Sequence, residues 1–162
     1  MENGVCSFSG HRNIEVRHKT ALASLLIKGI EFAYSKGCRN FLSGGAIGFD
    51  TLAAETVIKF RESHTDVRLV LILPCKNQSE KWNFRQKCDY ARILKYADEI
   101  IYITDEYYDG CIKERNLRLA EEADILICYA SRFNSGTGQT VRMAQAMGKQ
   151  VYNLYPALDK NT

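Results

Sequence analysis

The sequence predicts an α/β fold, a mainly parallel sheet with helices on both faces. Three observations lead there. Short apolar runs alternate about five times with longer amphipathic ones. Many of the glycines fall at the joints, just after an apolar run and at or before a helical one. The length of 162 residues, with 46% hydrophobic and 25% charged, suits one globular domain over 1–162 with a real core.

Taken in order, Gly4 to Phe8 is a strand that Ser9-Gly10-His11-Arg12 breaks. Glu15 to Lys36 reads as a helix, with Leu22, Leu25, Leu26, Ile30 and Ala33 at i, i+3, i+4 spacing and Gly37 as its C-cap. Asn40-Phe41-Leu42 is a short strand. Ile47 to Glu62 is the next helix, with Phe49, Leu52, Ala53, Val57 and Phe60 inward. Val67 to Leu73 is nearly all apolar, as a strand covered on both faces must be, and Pro74 stops it. Gln78 to Tyr96 is polar, aromatic and helical in part. Glu99 to Ile103 is a strand. Cys111 to Ala123 is a helix with Ile112, Leu119, Ala120 and Ala123 on one side. Asp124 to Tyr129 is a strand, Thr137 to Met147 a helix ended by Gly148, and Gln150 to Leu154 the last strand. The sum is a Rossmann-like three-layer αβα sandwich. Right-handed crossovers gather the strand C-termini on one edge, where such sheets bind ligands.

Composition narrows the function classes. A net charge of +3 permits a local basic patch but does not mark a strongly basic nucleic-acid binder. No apolar stretch is long enough to cross a membrane, and Met1-Glu2-Asn3-Gly4 has no apolar signal core. Six cysteines form no CxxC pair and have no histidine at zinc spacing. They imply reduced thiols in a cytoplasmic protein, with Cys6 and Cys128 as small hydrophobes inside strands. No HExxH, Cys–His pair or Gly-x-Ser-x-Gly elbow occurs, and no carboxylate cluster suggests a metal.

The glycines that follow strands carry the chemistry. Ser43-Gly44-Gly45-Ala46-Ile47-Gly48-Phe49-Asp50 lets a ligand approach backbone and places free N–H groups at a helix start, where an anion is favoured. Asp50 there caps the helix or meets a ribose hydroxyl. The bland alternative is a tight turn that needs small residues. Asn134-Ser135-Gly136-Thr137-Gly138-Gln139-Thr140 holds three hydroxyls and two glycines within six residues, Ser135 to Thr140, more than a cap requires, which points to phosphate. In the first turn, Arg12 offers a bidentate phosphate contact, and His11 is either a hydrogen-bonding residue or an acid–base group. Tyr108 can stack a base or serve as rim, and Arg115 adds charge or pairs with an acid. Trp82, beyond Pro74 and Gln78, lines a ligand mouth or staples its segment to the core.

These motifs, in this order, resemble the SLOG superfamily, which joins the DprA/Smf DNA-processing proteins to the LOG phosphoribohydrolases, and most closely its YpsA-like branch. Ser9 to Arg12 resembles the first-strand motif, and Ser43 to Asp50 the Ser-Gly-x-Ala-x-Gly-x-Asp turn. Pro74, Gln78 and Trp82 resemble the branch's middle segment, and Arg115-Asn116 the Arg-Asn pair entering the fourth helix. Ser135-Gly136-Thr137 with Thr140 resembles the DprA-type phosphate turn. The resemblance covers nearly the whole chain. It implies a Rossmann-like fold, a nucleotide or nucleotide-derived ligand and often a homodimer. The LOG motif Pro-Gly-Gly-x-Gly-Thr-x-x-Glu ends in a glutamate, where this chain has Thr140. That departure argues against phosphoribohydrolase activity unless Asp50 or Glu114, with Arg115, substitutes.

The expectation is therefore a non-catalytic binder or sensor of a phosphorylated nucleotide-like ligand. The alternatives are a nucleotide N-glycosidic hydrolase and, less favoured, single-stranded DNA binding through Lys76, Lys81, Arg85 and Lys87.

Overall fold

β1 (Gly4–Gly10) lies near the middle of a six-stranded sheet, and that position follows from its composition: nearly every residue is buried. The computed structural model describes residues 3–160. After β1 come a 3-10 turn at Val16–His18 and α1 (Lys19–Ser35), then β2 (Cys38–Ser43) and α2 (Phe49–Arg61). β3 (Arg68–Cys75), α3 (Phe84–Tyr96), β4 (Glu99–Thr104) and α4 (Cys111–Glu122) follow. The chain closes with β5 (Ile125–Tyr129), α5 (Gly136–Ala146), β6 (Gln150–Asn153) and a short α6 (Tyr155–Asp159).

The strand order is β4-β3-β2-β1-β5-β6, and every neighbouring pair is parallel. The chain steps outward from β1 to β4, then returns to lay β5 on the other side of β1. That reversal opens a crevice between the loops after β1 and β5. The two helical layers can be read along β3. Leu69, Leu71 and Leu73 pack in the core with α1, α2 and α3, while Val70 and Ile72 pack with Leu119 of α4. On β5, Leu126 and Cys128 meet Ala120, Val141 and Ala144 under α4 and α5.

Two expectations need correction. Pro74 does not stop β3 but lies inside it. Its pairing with β2 ends at Leu71, so the proline falls where that side of β3 is already an edge and no ladder bond there is lost. The segment 78–96 is helical in part, as expected: the helix runs from Phe84, where Asn83 and Gln86 form a reciprocal capping box. Asn83→Ala should cost about 1 kcal/mol in urea unfolding; no change would show that the cap adds nothing. Ile112 is exposed rather than inward. It shares a stripe with Leu119, but near the start of α4 it borders the open crevice. The α6 turn was not anticipated. All six cysteines are free, and burial pushes the Cys128 thiol up to about 12, so it stays protonated and inert.

Candidate functional site

Three hydrogen bonds fix the crevice between β1 and β5. The His11 backbone N–H donates to the Tyr129 carbonyl at 3.1 Å, and the Phe49 N–H donates to the His11 carbonyl at 3.2 Å. The Ser131 backbone N–H donates to His11 Nε2 at 2.8 Å. That last bond assigns the ring: Nε2 is an acceptor, so the proton of the neutral imidazole sits on Nδ1. Burial, then the nearby Arg132 guanidinium, lowers the His11 pKa further. His11 thus braces two loops through its ring nitrogen.

Above these loops lies a cavity of about 650 Å³. Of the sequence candidates, Ser9, Gly10, His11, Arg12, Ala46, Asp50, Gln78, Trp82, Arg115, Asn116, Ser135, Gly136 and Thr137 line it. They come from three strand ends and from the starts of α2, α4 and α5.

Arg115 is the most constrained charge. It is only 5% exposed, with Nη1 donating to the Gly44 carbonyl at 2.5 Å and Nε donating to Asn116 Oδ1 at 2.9 Å. Its Nη2 has no hydrogen bond among the described residues. Because Asn116 Oδ1 accepts from Arg115, the Asn116 amide presents its NH2 as a donor close to Gly136. At α5 the Ser135 hydroxyl accepts from the Gly138 N–H at 3.1 Å, as a cap. The N–H groups of Gly136 and Thr137 are left over, at the positive end of the helix.

Asp50 sits opposite this guanidinium. A Cβ on Gly44 would lie 2.6 Å from Arg115 Nη1 and 2.9 Å from Asp50 Oδ2, so only glycine fits between them. Burial pushes the Asp50 carboxyl up to about 6, against the pull of Arg115 and of the Ala46 and Gly10 N–H groups. Its Oδ2 accepts weakly from the Ala46 N–H at 3.4 Å, and Oδ1 has no partner among the described residues.

Other candidates belong to the scaffold. The Ser43 hydroxyl donates to the Asp50 carbonyl and accepts from the Gly45 N–H, so it braces the β2–α2 loop. The Thr140 hydroxyl donates to the Gly136 carbonyl one turn back, and the residue is fully buried. Gly44, Gly45 and Gly48 shape the loop without lining the cavity, and Pro74 also lies outside the lining. Tyr108 is not there either, since its hydroxyl donates to the Glu114 carboxylate. Glu114 faces a separate hollow with Tyr102, Arg118, Glu121 and Glu122, because one step along a helix turns a side chain about 100° from Arg115. Trp82 fills both roles open to it, lining the cavity while its ring meets Tyr90 edge-on at 5.0 Å.

Sequence reasoning missed Asn13, Glu15, Ile47, Ile112, Tyr129, Ser131, Arg132 and Tyr155 in the lining. Arg132 carried a signal, as a cation three residues past a buried strand on the ligand edge. Glu15 is already engaged. The Tyr155 hydroxyl donates to it at 2.6 Å and holds its carboxyl below the usual range. Glu15, His18 and Asp159 also form a metal-ligand type of group, with donor atoms within 4.8 Å of one another. Arg17 Nη2 lies 2.7 Å from Asp159 and 3.4 Å from Glu15, so a fixed cation already balances these carboxylates.

With this geometry in view, comparison with known proteins is informative. The chain is 26% identical over 130 residues to the uncharacterized SPbeta prophage-derived protein YoqJ of Bacillus subtilis, covering 72% of this chain and 76% of YoqJ. It is 29% identical over 134 residues to the UPF0398 protein BH1768 of Halalkalibacterium halodurans, covering 79% of this chain and 66% of that protein. In fold it is similar to DNA processing protein A of Helicobacter pylori, a structure described for its single-stranded DNA binding mode. The TM-score is 0.64 at 18% identity, over 93% of this chain and 64% of that one. The YpsA family model, described as the YspA SLOG family, matches residues 6–157. The chain therefore belongs to the YpsA family of SLOG proteins.

Proposed function

We propose that the protein binds a phosphorylated nucleotide or nucleotide-derived ligand in the crevice between β1 and β5, as a binder or sensor. Arg115 carries this reading: a buried guanidinium lines the cavity with one nitrogen unengaged among the described residues. The Asn116 amide and two free N–H groups at α5 add donors for the same anion. Ile47, Ile112 and Trp82 supply an apolar wall suited to a base.

A panel of nucleoside monophosphates tested by thermal shift checks the reading. A ligand at 100 times its dissociation constant should stabilise the protein by about 2.7 kcal/mol, several degrees in midpoint. Arg115→Met should weaken binding about 100-fold or more, since it removes a charge-assisted contact in a desolvated site. A flat panel on the intact protein would sink the proposal.

One observation favours a second reading. A buried cavity carboxyl with its pKa raised to about 6 is the kind of group that N-glycosidic hydrolysis needs. Free base released from nucleoside monophosphates above a blank would establish catalysis. The DNA reading draws on the fold similarity to DNA processing protein A. The basic stretch behind it is partly compensated, with Lys76 on Asp105 at 3.1 Å and Arg85 near Asp89 at 3.6 Å. A gel shift at physiological salt decides it.

A further inference from the structure

Three arginines line the cavity at two depths. Arg115 is held inside by two protein acceptors, while Arg12 and Arg132 stand exposed at the mouth. Each mouth arginine directly follows one partner of the His11–Ser131 hydrogen bond. That 2.8 Å bond, with the His11 N–H on the Tyr129 carbonyl at 3.1 Å, holds the two arginines on neighbouring loops that flank the crevice. Neither side chain makes an ion pair among the described residues. The carboxylates that line the cavity do not neutralise them. Glu15 is taken by Tyr155, His18 and Arg17, and Asp50 is buried opposite Arg115.

Two like charges on neighbouring loops of one cavity, with no acid paired to either, favour an anion seated between them. A single phosphoryl group on the inner donors of Arg115, Asn116 and α5 leaves this outer pair unused. We propose that the crevice takes a ligand with two phosphoryl groups, a nucleoside diphosphate or a diphosphate-linked derivative. One phosphoryl sits on the inner donors and the second between Arg12 and Arg132. The proposal rests on the nucleotide reading above and adds the ligand class.

Isothermal titration of the whole chain with AMP and ADP, GMP and GDP, CMP and CDP, and UMP and UDP tests it. For at least one base the diphosphate should bind about 10- to 100-fold more tightly than the monophosphate. In the Arg12→Ala/Arg132→Ala double variant the diphosphate should bind no more tightly than the monophosphate. Both side chains are exposed and unpaired with acids, so their loss spares the fold. Lys76→Ala, a basic residue outside the cavity, should keep the advantage.

Equal binding of mono- and diphosphate overturns the proposal. So does an advantage that persists in the double variant, or one lost equally in Lys76→Ala. Absence of binding by every nucleotide is a different result, and it removes the nucleotide reading itself.

Discussion

Gly48→Ala should destabilise the fold by about 3 kcal/mol or more and weaken ligand binding with it. Gly48 is the N-cap of α2 and has φ +88° with ψ −122°, outside the left-handed helical region and costly for an L-residue by about 1–3 kcal/mol. The added Cβ would also meet Arg12 backbone, 2.2 Å from its carbonyl oxygen and 2.6 Å from its carbonyl carbon. No rotamer change relieves a clash with main chain, so either α2 or the β1 loop must move. The β1 loop carries His11 and Arg12, and a shift there separates Arg12 from Arg132 across the crevice. Gly148 gives the control. Its φ of +75° is also positive, but nothing lies within 4 Å of its would-be Cβ, so Gly148→Ala should cost only about 1 kcal/mol. Urea unfolding of both variants separates the two contributions. Equal losses would show that the contact with Arg12 is unimportant.

The architecture was legible because its signals are local and periodic. The unbroken apolar run of β3, the i, i+3, i+4 spacing on α1 and the glycines after strands need no tertiary knowledge. Residues whose role depends on where a neighbour ends were not legible. Pro74 looked like a stop because nothing in the sequence says that β2 finishes three residues earlier in register. The hydroxyls misled for a related reason. Ser43 and Thr140 were counted toward a ligand, yet both are spent on nearby carbonyls, and composition cannot tell a spent hydroxyl from a free one. Glu15 and Tyr155 meet across 140 residues, so their bond was invisible. Glu114 and Arg115 are neighbours in sequence but face different hollows, a distinction that helix geometry decides.

The Asp50 carboxyl should make the protein more stable in mild acid than its other carboxylates alone would allow. Burial raises its folded pKa to about 6, while the unfolded chain releases the same proton near pH 4. The folded state therefore holds the proton more tightly. Its contribution to stability is full below about pH 4 and is lost as pH rises through about 6. A shift of about two units corresponds to about 3 kcal/mol, which the ionised carboxylate costs the fold at pH 7.5. Asp50→Asn keeps a neutral group of the same shape at every pH. It should be more stable than the unsubstituted protein by up to about 3 kcal/mol at pH 7.5 and no more stable at pH 4. Other carboxylates titrate in both proteins and cancel in the difference, including Glu15 and Asp66, whose pKa values are lowered and whose contributions run the opposite way. Chemical unfolding of the pair at several pH values reads that difference directly. A variant less stable at pH 7.5 would mean that the Asp50 charge supports Arg115 by more than its own burial costs. Binding and base-release assays on the same variant would show whether the carboxylate serves ligand recognition or chemistry.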